Sequence, residues 1–309
     1  MLNCLGGNKR MNYTNFSTPK DKQNIDYFIF LILIPSLLAI IFVLLHFHPQ
    51  LKDAVILQPS NPTVISVYLS NYAHIEFRHF FENLVSYFLL ISLIFRFGTM
   101  RNRFHLNLIL IFTALPVLCS LSSIYYLSNL RSLGFSGIVS GLMGYLLYSV
   151  YYYVEKEWRI RLNKNFIFLI VVFNLSILSF IYKWIWLCVL LLLLLSVIAC
   201  MIRNNLKLII DKLNEIFVEW WKLKKSQKSA KFAFKFVIFA LTVFFLLFGS
   251  TSLFPSNIIT NGKITNILAH YVGYCFGVFV PLIPDFIVDI VSKIKALWEG
   301  RYDSGKDSV

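Results

Sequence analysis

Eight long apolar runs divide this chain, and they constrain its fold more than any other feature. A helix needs about 20 apolar residues to cross the hydrocarbon core of a bilayer, and each run is close to that length. The composition agrees, because 58% of the residues are hydrophobic and only 14% are charged. The chain is therefore predicted to be an all-α, polytopic membrane helical bundle. The runs are 27–47, 80–97, 104–128, 135–154, 165–182, 184–202, 233–253 and 264–284.

The stretch 165–202 is almost continuously apolar, and we divide it at Lys183. A single straight helix of that length would measure roughly 57 Å at ~1.5 Å per residue, nearly twice the ~30 Å hydrocarbon core. Tyr182 and Trp184 flank the lysine, and aromatic residues favour the membrane interface. The sequence therefore predicts a tight helical hairpin that turns at these three residues.

The net charge of +14 is distributed unevenly along the chain. With the N-terminus inside, the inner segments hold 24 of the 29 Lys and Arg residues, and the outer loops hold 5. This asymmetry follows the positive-inside rule and predicts that both termini are cytoplasmic. The predicted organisation is a tail over 1–26, a transmembrane domain over 27–284 and a second tail over 285–309. The expected location is the cell (plasma) membrane.

The inner loop 203–232 has its own pattern. Apolar residues recur there at helical spacing, and a lysine cluster follows from Lys222 to Lys231. The pattern predicts an amphipathic helix on the inner leaflet, with anionic membrane lipid as its partner. Binding of nucleic acid is not expected, because membrane orientation already explains the basic cluster. The apolar positions are Leu206, Ile210, Leu213, Phe217 and Trp220.

Few polar side chains that could do chemistry fall within the spans. His79 and Asn83 open the second span, Ser136 begins the fourth, and His270 lies about six residues into the eighth. These three spans run inward from the outside, so the four side chains should lie at a similar depth. Polar and ionisable residues inside a membrane are costly and are functional candidates for that reason.

Glycine stripes on the fourth and eighth spans should let the two helices approach closely. Close approach would bring the Ser136 hydroxyl within reach of the His270 imidazole, which can accept its proton and activate it as a nucleophile. The eighth span contains no Asp or Glu, so the predicted pair is a dyad that uses neither a third carboxylate nor a metal or other cofactor. The Ser136 backbone N–H, His79 and Asn83 are candidate donors to an oxyanion. The glycines are Gly137, Gly141 and Gly144, and Gly273 and Gly277.

Three blocks of residues resemble the rhomboid family of intramembrane serine proteases. They are His74-x4-His79-x3-Asn83, Gly134-Phe135-Ser136-Gly137 continuing to Gly144, and Ala269-His270-x2-Gly273-x3-Gly277. The resemblance implies that Ser136 is the nucleophile and His270 the general base. It also implies that His79 and Asn83 serve the oxyanion, with His74 in support. Single-span transmembrane proteins would be the substrates, cleaved at a site that opens to the outer face.

The chain departs from the rhomboid pattern in its topology. Three spans, rather than one, separate the helices of Ser136 and His270, so the expected fold is a rhomboid-like core with a two-helix addition. An even number of added helices keeps both residues on the same side of the membrane. The first outer loop also lacks a Trp-Arg pair, and Arg101 occupies a position where the family usually has Glu.

Two other classes of function are also compatible with the sequence. A catalytically inactive rhomboid-like pseudoprotease would bind membrane helices without cutting them, although retention of Ser136 and His270 favours an enzyme. A transporter or channel would be expected to carry several intramembrane carboxylates. The sequence carries no signal for an oligomeric state.

Overall fold

The computed structural model describes residues 20–98, 101–127, 131–222, 227–249, 259–260, 263–264, 266–284, 286–287, 290–291 and 294. Most of the two predicted tails lies outside these residues. The described elements, in chain order, are α1 Lys20–Phe28, a π-helical segment Ile29–Leu33, α2 Ile34–Phe47, a 3-10 turn Pro49–Leu51, α3 Lys52–Val55, α4 Val64–Leu69, α5 Phe77–Phe97, α6 Arg101–Tyr126, α7 Ser136–Trp158, α8 Asn165–Ile181, α9 Ile185–Met201, α10 Arg203–Lys222, α11 Gln227–Phe248, β1 Ile259–Thr260, β2 Lys263–Ile264, α12 Ile267–Phe279 and a 3-10 turn Val280–Leu282. The predicted helical fold is confirmed, and β1 and β2 add one short antiparallel pair.

Several of the described helices are suited to a membrane. Three stretches are long and apolar enough to cross it, namely Asn24–Phe47, Phe77–Phe97 and Arg103–Tyr126. Helices α8, α11 and α12 are apolar but shorter. These helices indicate a membrane protein, while the count of eight spans and the orientation stay predictions.

The hairpin predicted in the stretch 165–202 is present. Helix α8 ends at Ile181 and α9 begins at Ile185. Lys183, between them, adopts a left-handed conformation with a φ of 60°. No residue of α9 is buried, and a bend of 72° separates α9 from α10. Helix α10 confirms that the loop after the sixth apolar run is helical.

Helix α7 is enclosed by protein. It contacts α5, α6 and α12, and every residue from Gly137 to Tyr151 is buried. Polar side chains are tolerated in such a helix, because they face protein rather than lipid. This explains why α7 carries Ser140, Ser149 and several tyrosines along a membrane-length segment.

Backbone contact between α7 and α12 depends on their glycines. A Cβ atom added at Gly273 would overlap the carbonyl oxygen of Gly137, and one added at Gly277 would overlap that of Gly141. A Cβ at Gly144 would likewise overlap the carbonyl oxygen of Tyr274. The predicted stripe therefore forms the interface between the helices that carry Ser136 and His270.

Asn174 ties the intervening helices to α12. Its side chain is only 1% exposed, and its Nδ2 donates to the Tyr274 hydroxyl at 2.9 Å and to the Leu246 carbonyl at 3.1 Å. Leu246 lies in the last turn of α11, where a helix leaves its carbonyls without internal partners. One amide thus links α8 and α11 to the helix of His270.

We expect Gly277→Ala to separate α7 from α12, because the added methyl group would meet backbone atoms that cannot rotate away. Overpacking of this kind costs about 1–3 kcal/mol, which a lower thermal unfolding midpoint in detergent would report. Cys275→Ala, at a half-buried position on the same helix, is the matched control. Equal midpoints for the two variants would contradict the glycine interface.

Candidate active site

Ser136 is the first residue of α7, and the residues before it set its position. Gly134 has a φ of 132°, a backbone conformation that residues with side chains rarely adopt. A Cβ atom there would also lie 3.0 Å from the His79 ring. Phe135, which is fully buried, then anchors the chain in the core. The Ser136 side chain begins the helix and remains partly exposed.

Ser136 and His270 form a direct side-chain contact. The Ser136 Oγ lies 2.7 Å from the His270 Nε2, a normal distance for a hydrogen bond from a hydroxyl group. His270 is 6% exposed and lies one turn into α12. The structure therefore brings together the two residues that the sequence selected from different spans.

Asn266 fixes the start of α12. Its Oδ1 accepts the Ala269 backbone N–H at 3.1 Å, as a helix N-cap does. Its Nδ2 donates to the hydroxyls of Ser123 and Ser132, each at 2.8 Å. Since Ser132 lies in the loop before α7, this asparagine connects the helix of His270 with the segment that leads to Ser136.

His74 contacts the same segment from the loop between α4 and α5. Its Nε2 accepts the backbone N–H of Phe135 at 3.3 Å and lies 3.1 Å from the Asn83 Nδ2. Burial, together with the neighbouring His79, lowers the pKa of His74 from 6.5 to about 3, against a raising effect of the Tyr72 backbone. The imidazole is therefore neutral at physiological pH, with its proton on Nδ1 and its Nε2 lone pair available as an acceptor.

The two candidate oxyanion residues differ in their surroundings. The Asn83 Nδ2 also contacts the His79 carbonyl at 3.0 Å, so both of its N–H groups have acceptors in this conformation. The exposed His79 side chain lies beside Gly134 and makes no hydrogen bond to another described residue. Its ring therefore remains available as a donor.

Backbone donors are present at the same place. The N–H groups of Ile138 and Val139 both donate to the Phe135 carbonyl, at 3.0 and 3.1 Å. Those of Ser136 and Gly137 have no acceptor among the described residues, as expected for the first turn of a helix. Unpaired N–H groups in the first turn of a helix can stabilise a negative charge placed beside them.

No protein-family model matches this chain, and neither a curated protein nor a solved structure matches it. Within the described part of the chain, no group of three or more His, Cys, Asp or Glu side chains is placed to hold a metal ion.

Sequence reasoning singled out Ser136, His270, His74, His79 and Asn83, and the structure places all five around the start of α7. It did not single out the asparagines that support them. The sequence could have indicated the role of Asn266, because an asparagine directly before an apolar helix is a common N-cap. No local sequence pattern could have indicated the role of Asn71, because its main partners lie more than 40 residues away on α6.

We expect the stability of the fold to fall in acid because of His74. The unfolded chain binds a proton at this residue below pH 6.5, whereas the folded chain does so only near pH 3. Its contribution is therefore complete above pH 6.5 and is lost as the pH falls from 6.5 towards 3. His74→Gln keeps an acceptor for the Phe135 N–H but cannot titrate, so its unfolding midpoint should depend less on pH in this window.

His48→Gln, which removes an exposed imidazole just beyond α2, is the matched control. The measurement is thermal unfolding in detergent between pH 4 and pH 7. The same pH dependence in wild type and in the His74 variant would show that His74 is not the group responsible.

Proposed function

We propose that this chain is an intramembrane serine endopeptidase that cleaves transmembrane segments of membrane proteins. The observation that carries the proposal is the 2.7 Å contact between the Ser136 Oγ and the His270 Nε2. Serine is a weak nucleophile alone, and an imidazole at this distance can take its proton as attack begins. The same nitrogen then returns the proton to the departing amine.

The start of α7 supports the second requirement of acyl transfer. Attack on a peptide carbonyl creates a negatively charged oxygen, which donors must stabilise as it forms. The N–H groups of Ser136 and Gly137 are suited to this role, and the exposed His79 ring lies beside Gly134 in the segment that leads to them. Asn83 would join them by exchanging its contact with His74 or with the His79 carbonyl.

The surroundings favour a substrate within the membrane. The helices around the pair are apolar, and the side chain of Ser136 is partly exposed at the end of its helix. A single-span protein whose helix unwinds near small residues could present its backbone there. The distribution of 24 inner and 5 outer basic residues favours a site that opens to the outer face.

The proposal extends to the rhomboid type of protease, on the three sequence blocks and on the helices that bear them. Helices α5, α7 and α12 carry the His79, Ser136 and His270 blocks in the rhomboid order. Among the described residues, four helices, α8 to α11, intervene between α7 and α12. In the proposed topology, three of them span the membrane and α10 lies on the inner surface.

Replacing either partner of the pair should abolish cleavage. In liposomes that contain a panel of single-span substrates, we expect Ser136→Ala and His270→Ala to lower turnover by several orders of magnitude. Ser140→Ala is the matched control, because the Ser140 hydroxyl is buried one turn further along and its partner among the described residues is the Ser136 carbonyl. Equal cleavage by wild type and all three variants would contradict the mechanism. Binding without cleavage by wild type would favour a pseudoprotease.

A fluorophosphonate probe offers a direct check of the nucleophile. Wild type should react at Ser136 and lose this reactivity in His270→Ala, because the probe requires an activated hydroxyl. Labelling that persists unchanged in Ser136→Ala would place the reactive group elsewhere.

Asn83→Ala should lower turnover by a factor of roughly 10² if its amide reaches the oxyanion. The readout is kcat for a cleaved substrate, with KM measured in parallel. An effect on the unfolding midpoint with no change in kcat would restrict Asn83 to holding His74.

A further inference from the structure

Pro116 interrupts the hydrogen bonding of α6. Proline has no backbone N–H, so α6 cannot form the usual bond to the carbonyl four residues earlier, that of Phe112. In a membrane bundle, a carbonyl left in this way needs another partner. The hydroxyls of Tyr68 and Tyr72 both donate to it, the first at 2.9 Å. A carbonyl oxygen has two lone pairs and can accept both bonds.

The same segment of the outer loop makes further contacts with α6. The Asn71 Nδ2 donates to the Pro116 carbonyl at 3.0 Å and to the Ser120 hydroxyl at 2.8 Å. The Ser120 hydroxyl in turn donates to the Val67 carbonyl at 2.6 Å. We name residues 64–74 the docking segment, since its polar groups meet α6 from one turn before the proline to one turn after it.

The docking segment leads directly to the candidate active site. It ends at His74, whose Nε2 accepts the Phe135 N–H, and its Ser70 carbonyl accepts the Gly134 N–H at 2.9 Å. The Phe135 ring also contacts the ring of Tyr72, with centroids 5.9 Å apart, and that of Phe112, at 6.3 Å. Both residues before Ser136 are thus held by groups that depend on the docking at α6.

We infer that Pro116 exposes the Phe112 carbonyl as a docking point, and that Tyr68 and Tyr72 are positioning residues that use it to set the start of α7. The part of the inference that concerns the reactivity of Ser136 rests on the proposed protease function. The placement of the docking segment does not, because it concerns hydrogen bonds that exist whether or not the chain is an enzyme.

The test compares four forms of the full chain in detergent: wild type, Tyr68→Phe with Tyr72→Phe, Pro116→Ala, and the three changes combined. Removing both hydroxyls leaves the Phe112 carbonyl unpaired and should lower the unfolding midpoint. Adding Pro116→Ala restores an N–H that can pair with this carbonyl, so the midpoint should recover. Hydrogen exchange over 70–76 and 133–137 should rise about tenfold without the hydroxyls and should stay high in the combined variant.

Tyr125→Phe is the matched control, because it removes a hydroxyl at the exposed end of α6. Recovery of exchange together with the midpoint in the combined variant would overturn the inference, as would exchange that never changes. Either result would mean that the two tyrosine hydroxyls stabilise α6 but do not position the docking segment.

Labelling of Ser136 by the fluorophosphonate separates this inference from the proposed function. Labelling should slow by about a factor of ten in both variants that lack the hydroxyls. A wild type that is never labelled, combined with the expected exchange pattern, would refute the protease function and leave the docking intact.

Discussion

The close backbone contact between α7 and α12 is the constraint on which the rest of the site depends. Gly141 and Gly277 permit it, since a Cβ at the second would overlap the carbonyl of the first. Only at this separation do the side chains of Ser136 and His270, near the N-terminal ends of the two helices, meet at 2.7 Å. A wider spacing would leave a serine and a histidine that share a depth but do not touch.

Asparagine side chains link several of the elements around this pair of helices. Asn266 joins α12 to the loop before α7, Asn71 joins the loop before α5 to α6, and Asn174 joins α8 and α11 to α12. Each of these amides donates hydrogen bonds to polar groups of another element, and polar groups left without partners inside a membrane bundle are costly. The polar residues within the bundle therefore link helices as well as supply chemistry.

Several features could be predicted from local pattern. The hairpin at Lys183 followed from length, and the contact of Ser136 with His270 followed from shared depth and glycine spacing. The surroundings of Asn83 could not be predicted, because its amide contacts His74, and their separation depends on how the loop before α5 folds back. The burial of α7 could not be predicted either, since its tyrosines and serines are as consistent with an exposed face as with contacts to protein.

The sequence by itself determined the helices, their suitability for a membrane and the residue types available at each end, because hydropathy and helical period are properties of neighbouring residues. Only the tertiary structure decided which groups meet. Ser136 and His270 are 134 residues apart, and Tyr72 finds the Phe112 carbonyl because Pro116 leaves it open. Such pairings depend on how distant segments pack against one another, and no local pattern specifies that.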